Sequence, residues 1–499
     1  MDPADRLTAL DVTNLVVESH GAPMHVAALA VLDGASLPDP GTGGLDVDAV
    51  RAHVGERLPR RLRQRLVVPP RGRGRPHWAA PAVVDLSRHV RTLEVPAPAD
   101  EAALLDLCCR LNERPLDRRL PLWEMWLLTG LGEGRVGLLV RLHHVIADGV
   151  AALALLGSLL DPAPDGTPAA PAVQGPPSVP PVPAHGRAGA EPRIDDGGAG
   201  PAPLAVPAGS PARARGQAGR GLVAGRVAAA PGLVAARVAQ VADLVRAGRA
   251  PALSFNRPVS GRTRIVLVRA DLARTKTVAH AHGGKVNDVV VAAVGGGARR
   301  LLAERGELTG DLTLRVSVIA SLRGPTAGAT AGPTVGPAAD ATAGPTPVAG
   351  AAAAPSPAET AGGNRTGVRV IPVPVGEPDP VRRLERIVAS TAAQRSRPPM
   401  QPGGRLLRRG MVAVMQRQRM VNLLVTNVPG PPEPLVFAGA PVLELFQLGQ
   451  NQGNLGISVG VLSYAGTLGI DVVADARLVP DVETFVAGLT ETLDALGAR

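Results

Sequence analysis

Seven consecutive residues carry the clearest chemistry in this chain: His143-His144-Val145-Ile146-Ala147-Asp148-Gly149. An imidazole exchanges a proton near neutral pH, so a histidine suits general-base work on a weak nucleophile such as a hydroxyl. Asp148 has two roles open to it: orienting an imidazole, or holding the loop through a buried ion pair. Gly149 allows a backbone conformation that a side chain would obstruct. A pair of structural histidines is the plainer alternative. Asp-Gly at this spacing, between a strand and a helix, favours the chemical reading.

The flanking residues define how that loop is held. Val136 to Leu142 reads as a buried strand, and Gly149 to Leu160 as a helix rich in Ala and Leu. Both histidines therefore stand where a strand ends and a loop begins, a common place for catalytic groups. Upstream, His25 to Leu32 reads as a strand, with Val47 to Leu58 and Asp100 to Asn112 as helices. Farther on, Asn287-Asp288 opens an apolar run, where either residue type can cap free helix amides. Gly295-Gly296-Gly297 then either loosens that helix or lets a neighbour pack closely; it lacks the context of a nucleotide-binding loop. Trp123 in Pro121-Leu122-Trp123 reads as a packing anchor. Asn427 to Pro432 reads as a rigid turn after a strand over Val421 to Thr426.

Taken together, these motifs resemble a known superfamily. H-H-x-x-x-D-G is the signature of CoA-dependent acyltransferases and peptide-synthetase condensation domains. Leu7-Thr8-Ala9-Leu10-Asp11, Pro23-Met24-His25-Val26, Pro121-Leu122-Trp123, Val286-Asn287-Asp288-Val289-Val290, Asn427-Val428-Pro429-Gly430-Pro431 and Ser463-Tyr464-Ala465-Gly466 narrow the resemblance. They are similar to motifs of the bacterial wax ester synthase / diacylglycerol acyltransferase family. The resemblance runs from about residue 7 to 497. It implies an α/β fold of two chloramphenicol-acetyltransferase-like halves, each a mixed sheet with flanking helices, with the active site at their interface.

It also implies an activity. The acyl donor is a long-chain acyl-CoA, used as a co-substrate with no separate cofactor and no metal. The acceptor is diacylglycerol, a fatty alcohol, or both. His144 would take the hydroxyl proton as the oxygen attacks the thioester, then return it to the leaving sulfur. His143 and Asp148 would mainly hold the loop, with Gly149 completing the motif. A thioester is already reactive, so no serine or cysteine nucleophile is needed, and the sequence has no G-x-S-x-G elbow. Two other readings stay open: a condensation-type acyltransferase with a non-lipid acceptor, and a non-catalytic lipid-binding protein. The second histidine weighs against the latter.

Composition sets the remaining bounds. The 499 residues suffice for two large domains. With one Tyr, three Trp and four Phe, the cores must rest on Val, Leu and Ala. Lys276 and Lys285 are the only lysines, so the net charge of +10 is arginine, partly a compositional bias. That charge favours anionic membrane surfaces and CoA phosphates. Few aromatics and no recognisable module argue against nucleic acid. Cys108 and Cys109 are adjacent, which excludes an ordinary disulfide framework and points to a reducing compartment. The first residues do not read as a signal peptide, and no apolar run is long enough to span a bilayer. A cytoplasmic protein attached peripherally to the membrane or to lipid droplets is expected.

The expected organisation is an N-terminal half over 1–160, a Pro/Ala-rich linker over 161–213, and a C-terminal half over 214–499. A low-complexity Gly-Pro-Thr-Ala stretch at 324–362 cannot bury a core, and there the chain departs from the family's much shorter connection. Residues 214–249 interleave arginines with Leu and Val. They read as either a basic helix lying on a membrane or a helix facing the core, with Pro231 interrupting or starting it.

Overall fold

The computed structural model describes residues 5–7, 11–12, 15, 18, 23–37, 45–70, 75–147, 149–164, 249–321, 366–394 and 418–499. All of them belong to one compact unit comprising Met1–Pro177 and Arg249–Arg499. The arginine-rich stretch before Arg249, the body of the linker and the 324–362 stretch lie outside the described residues.

The N-terminal elements are β1 (His25–Asp33), α1 (Val47–Arg57), β2 (Leu66–Val67), β3 (His77–Trp78), β4 (Val90–Glu94), α2 (Glu101–Glu113), β5 (Trp123–Thr129), β6 (Arg135–His143), α3 (Gly149–Gly157) and β7 (Asp161–Pro162). The C-terminal elements are β8 (Thr263–Asp271), α4 (Leu272–Ala281), α5 (Val286–Glu304), β9 (Leu314–Ser321), β10 (Thr366–Val373), α6 (Pro380–Gln394), β11 (Leu423–Val428), β12 (Leu435–Phe437), β13 (Ala440–Leu448), β14 (Ile457–Tyr464), β15 (Thr467–Asp475) and α7 (Val482–Ala495).

They form two large mixed sheets. One has seven strands in the order β4-β5-β6-β1-β13-β12-β7, the other six in the order β10-β9-β11-β14-β15-β8. β4 runs parallel to β5, and β11 runs parallel to both β9 and β14. The fold expected from the sequence is therefore present. Every residue of β6 after Arg135 is buried, which explains the apolar run Val136–Val140 and leaves Arg141 and His143 as buried polar groups. Helix α2 starts where Asp100 accepts a hydrogen bond from the Ala103 amide at 2.8 Å.

Three local expectations change. First, β12 and β13 follow the linker in sequence yet join the seven-stranded sheet, with β13 paired to β1. Tyr464 pins this crossing: its hydroxyl accepts from the Leu435 amide and donates to the Val442 carbonyl, at 2.8 and 2.9 Å. Second, the linker's first residues are not loop. Asp161–Pro162 pairs with Leu435 and Val436 at the sheet edge. Third, Asn427 and Val428 belong to β11, paired with Val461 and Leu462, so the turn starts only at Pro429. Parallel pairing on a flanking strand extends a segment that turn chemistry alone would end.

The glycine triplet of α5 serves close packing. A β-carbon on Gly296 would fall 1.8 Å from Thr492 Oγ1, and one on Gly297 would fall 2.6 Å from the Phe485 carbonyl oxygen, both on α7. The two helices approach backbone to backbone.

Candidate active site

β6 delivers the histidine pair. His143 is its last residue and lies opposite His25, the first residue of β1. The ladder continues one bond further, from the His144 amide to the Met24 carbonyl at 2.7 Å. The Ile146 amide then bonds back to the His143 carbonyl at 2.8 Å, closing a tight turn. Side chains alternate along a strand. His143 shares a face with Arg141, while Val140 and Leu142 take the other face; His144 stands in the turn just after the strand.

His143 is fully buried and His144 half-buried. The Val145 amide donates to His143 Nδ1 at 2.9 Å, so the neutral ring carries its proton on Nε2. Glu18 Oε2 lies 3.1 Å from that nitrogen, oblique to the N–H direction, and also pairs with Arg118. Burial pushes the Glu18 carboxyl pKa up. Contact with His143 and the Arg118 guanidinium outweigh this and hold it at about 2. Next to it, His25 Nδ1 donates to the Asn112 carbonyl at 3.3 Å. Burial, then the charge of Arg141, lower its pKa to about 3, so His25 is a neutral neighbour.

The opposite face opens on an apolar cleft of about 350 Å³, including space open to solvent. Val26, Ala27 and Ala28 of β1 line it with Val140 and Leu142 of β6 and Ala152, Leu153 and Leu156 of α3. Val428, Gln447 and Leu462 close it from β11, β13 and β14. Both sheets thus supply its walls. Gly149 is a lining residue as well. Its φ lies outside the left-handed region, so backbone freedom is not its reason; a β-carbon there would meet Val428 Cγ2 at 3.4 Å. That is an ordinary contact distance between α3 and β11.

Asp148 lies outside the described residues. Asp288 is a helix-start group: its Oδ2 accepts from the Lys285 amide at 2.8 Å, and α5 supplies no wall of the cleft. Trp123 anchors the core as expected. Its indole N–H donates to the Leu62 carbonyl at 2.8 Å, and its ring stacks on His89 at 4.3 Å. Cys108 and Cys109 are both buried free thiols; burial, aided by nearby acidic groups, raises the Cys109 pKa to about 12. Glu18, Arg118 and Gln447 escaped the sequence reading. No motif or periodicity marks them, and only packing brings them to the histidine loop and its cleft.

A histidine pair at the end of a buried strand, and an apolar cleft lined from two mixed sheets, characterise this two-sheet scaffold. Solved structures share it. One is a "Wax ester synthase/diacylglycerol acyltransferase from Marinobacter aquaeolei VT8", 20% identical, with a TM-score of 0.61, covering 99% of this chain and 98% of that one. Another is the first condensation domain of the CDA synthetase, 15% identical, with a TM-score of 0.53, covering 99% of this chain and 96% of that one. Identities this low speak for the fold. The family follows from the sequence models. The wax ester synthase/diacylglycerol acyltransferase catalytic domain matches residues 7–290, and the WS/DGAT C-terminal domain matches residues 362–497. The chain belongs to the wax ester synthase/diacylglycerol acyltransferase family and is an acyltransferase. The 324–362 stretch falls almost wholly between the two matched regions. A relative from Mycobacterium tuberculosis, described as "Probable diacyglycerol O-acyltransferase", is 28% identical over 510 residues, covering 99% of this chain and 96% of the relative.

Proposed function

We propose that this enzyme moves a long-chain acyl group from acyl-CoA to the hydroxyl of diacylglycerol or a long-chain alcohol, with His144 as general base. The observation that carries this reading is half-buried His144 in the turn directly after β6, whose Val140 and Leu142 line the apolar cleft. His144 accepts the acceptor's hydroxyl proton while the oxygen bonds to the thioester carbonyl carbon. The tetrahedral adduct collapses, the C–S bond breaks, and the proton passes to the departing CoA sulfur. The chain's apolar walls hold the acyl tail and exclude water, which would otherwise compete as the acceptor. Asp148 is assigned to holding the loop, and Gly149 to lining the cleft beside Val428.

Acceptors of this kind dissolve in membranes. Among the described residues no helix is long and apolar enough to cross one. Peripheral attachment to an anionic membrane or droplet surface is the matching arrangement, drawn by the +10 charge and weakened by salt. The experiment is direct. Purified protein receives labelled palmitoyl-CoA with diacylglycerol or hexadecanol in separate reactions, beside a His144→Ala control. Labelled triacylglycerol or wax ester from the parent alone supports the reading. Turnover only with a water-soluble acceptor rejects it in favour of condensation-type chemistry.

A further inference from the structure

Glu18 is far from the histidine motif in sequence, yet its carboxylate faces the paired ends of β1 and β6. Its Oε2 is 3.1 Å from His143 Nε2, and its Oε1 is 3.9 Å from His25 Nε2. The side chain is only 9% exposed, and a carboxylate so removed from water is retained only where partners compensate it. Arg118, in the loop between α2 and β5, is one such partner. His143 is the other. With the Val145 amide donating to its Nδ1, the neutral ring presents Nε2–H, and the Glu18 carboxylate lies 3.1 Å from that nitrogen, off the N–H direction. His143 is therefore hydrogen-bonded at Nδ1 and faces a carboxylate at Nε2. Its own carbonyl closes the turn to Ile146 from which His144 emerges. The His25 ring does not compete: its proton is committed on the far side, to the Asn112 carbonyl.

We propose that Glu18, held by Arg118, is a positioning residue for acyl transfer: it keeps the His143 proton on Nε2 and so locks the turn that presents His144. The inference rests on His144 being the base, and it assigns Glu18 no contact with substrate. Fixing one ring in one tautomer through the other nitrogen's partner is a recurrent way to orient histidine. A misplaced reacting group costs rate far more than binding.

The test uses the full chain with Glu18→Ala, Glu18→Gln and His144→Ala, each checked for melting temperature. Glu18→Ala should lower kcat by about 10- to 100-fold with KM for acyl-CoA nearly unchanged. Glu18→Gln, which keeps an oxygen acceptor beside Nε2 without the charge, should recover part of that loss. Nitrogen-15 histidine spectra, with the His143 signals assigned by their loss in His143→Gln, give a readout independent of activity. The parent should show a single Nε2–H tautomer at His143, and Glu18→Ala a mixture. An unchanged kcat in Glu18→Ala, or an unchanged His143 tautomer, overturns the proposal. So does a loss that is equal in the Ala and Gln variants and tracks melting temperature. Should Glu18→Ala fail to fold, Glu18→Gln carries the test: a shifted His143 signal with reduced kcat supports the assignment, and parent-like values for both reject it. If His144→Ala keeps its turnover while the Glu18 variants lose theirs, the choice of base is what fails.

Discussion

Two buried polar clusters in this molecule handle their hydrogen bonds in opposite ways. In the C-terminal half, Asn422 accepts from the Arg315 amide and donates to the Pro251 carbonyl and to Asn256. Gln418 accepts from the Met420 and Val421 amides and donates to Val421 and Asn454. Each amide is paired with backbone groups and with a neighbouring asparagine. At the end of β6, by contrast, His25 Nε2, Arg141 Nε and Nη1, and Asn112 Oδ1 are buried without a hydrogen-bond partner, and His143 Nε2 has only the oblique Glu18 contact. A saturated network rigidifies, whereas unsatisfied buried groups persist where something besides stability retains them. The difference separates a cluster that is internally paired from one that is not.

That contrast can be broken by mutation. The largest effect is expected at His144. His144→Ala should lower turnover by ~10²–10⁴-fold while leaving the melting temperature within a few degrees of the parent. Near-parent turnover in the folded variant would remove proton transfer from its role. Asn422→Ala should do the reverse. It strands the Arg315 amide and the Pro251 carbonyl, at roughly 1–3 kcal/mol for each buried orphan, so denaturant melts should shift while kcat of the folded enzyme holds. A large fall in kcat at unchanged stability would erase the distinction between the clusters.

Smaller effects sharpen it. Gly296→Ala places a methyl group 1.8 Å from Thr492 Oγ1 and 2.8 Å from the Gly488 carbonyl oxygen. The α5–α7 contact must open, at about 1–3 kcal/mol, read from thermal unfolding with the acyl-transfer rate unaltered. A melting point equal to the parent's would show that the helices are less tightly apposed.

The last prediction is a pH slope. His25 has its pKa lowered from 6.5 to about 3 by burial first and by Arg141 next. Between those values the unfolded chain takes up a proton that the native one refuses. Stability should thus fall as pH drops below 6.5, by as much as about 1.4 kcal/mol per pH unit. Glu18 adds a second loss only lower down, where the unfolded carboxylate protonates near 4.5 and the native one stays charged to about 2. Urea melts of the parent and His25→Gln between pH 7 and 5 isolate the first loss, since Gln can still donate to Asn112. Equal slopes for the two proteins would place the acid sensitivity elsewhere.

Much of the site was legible in the chain. β6 and α2 follow from an apolar run and an Asp cap, and the histidine pair was visible at the strand end by type and spacing. Less was legible where a residue's role depends on what lies across a gap. Gly149 reads as a conformational glycine, but its φ lies outside the left-handed region and it lines the cleft instead, facing Val428 on a strand remote in sequence. The glycine triplet left two outcomes open until α7 was seen against it.

The sequence by itself determined the local elements, the motif that bears the chemistry and the family, because periodicity, caps and spacing are properties of neighbouring residues. Only the tertiary structure decided that β12 and β13 cross to the other sheet, that Glu18 and Arg118 reach His143, and that both sheets wall one cleft. Those outcomes depend on pairings between segments far apart in the chain. Their free energy comes from burial and backbone bonding shared by whole sheets, and no local window of residues encodes which distant partner will be met.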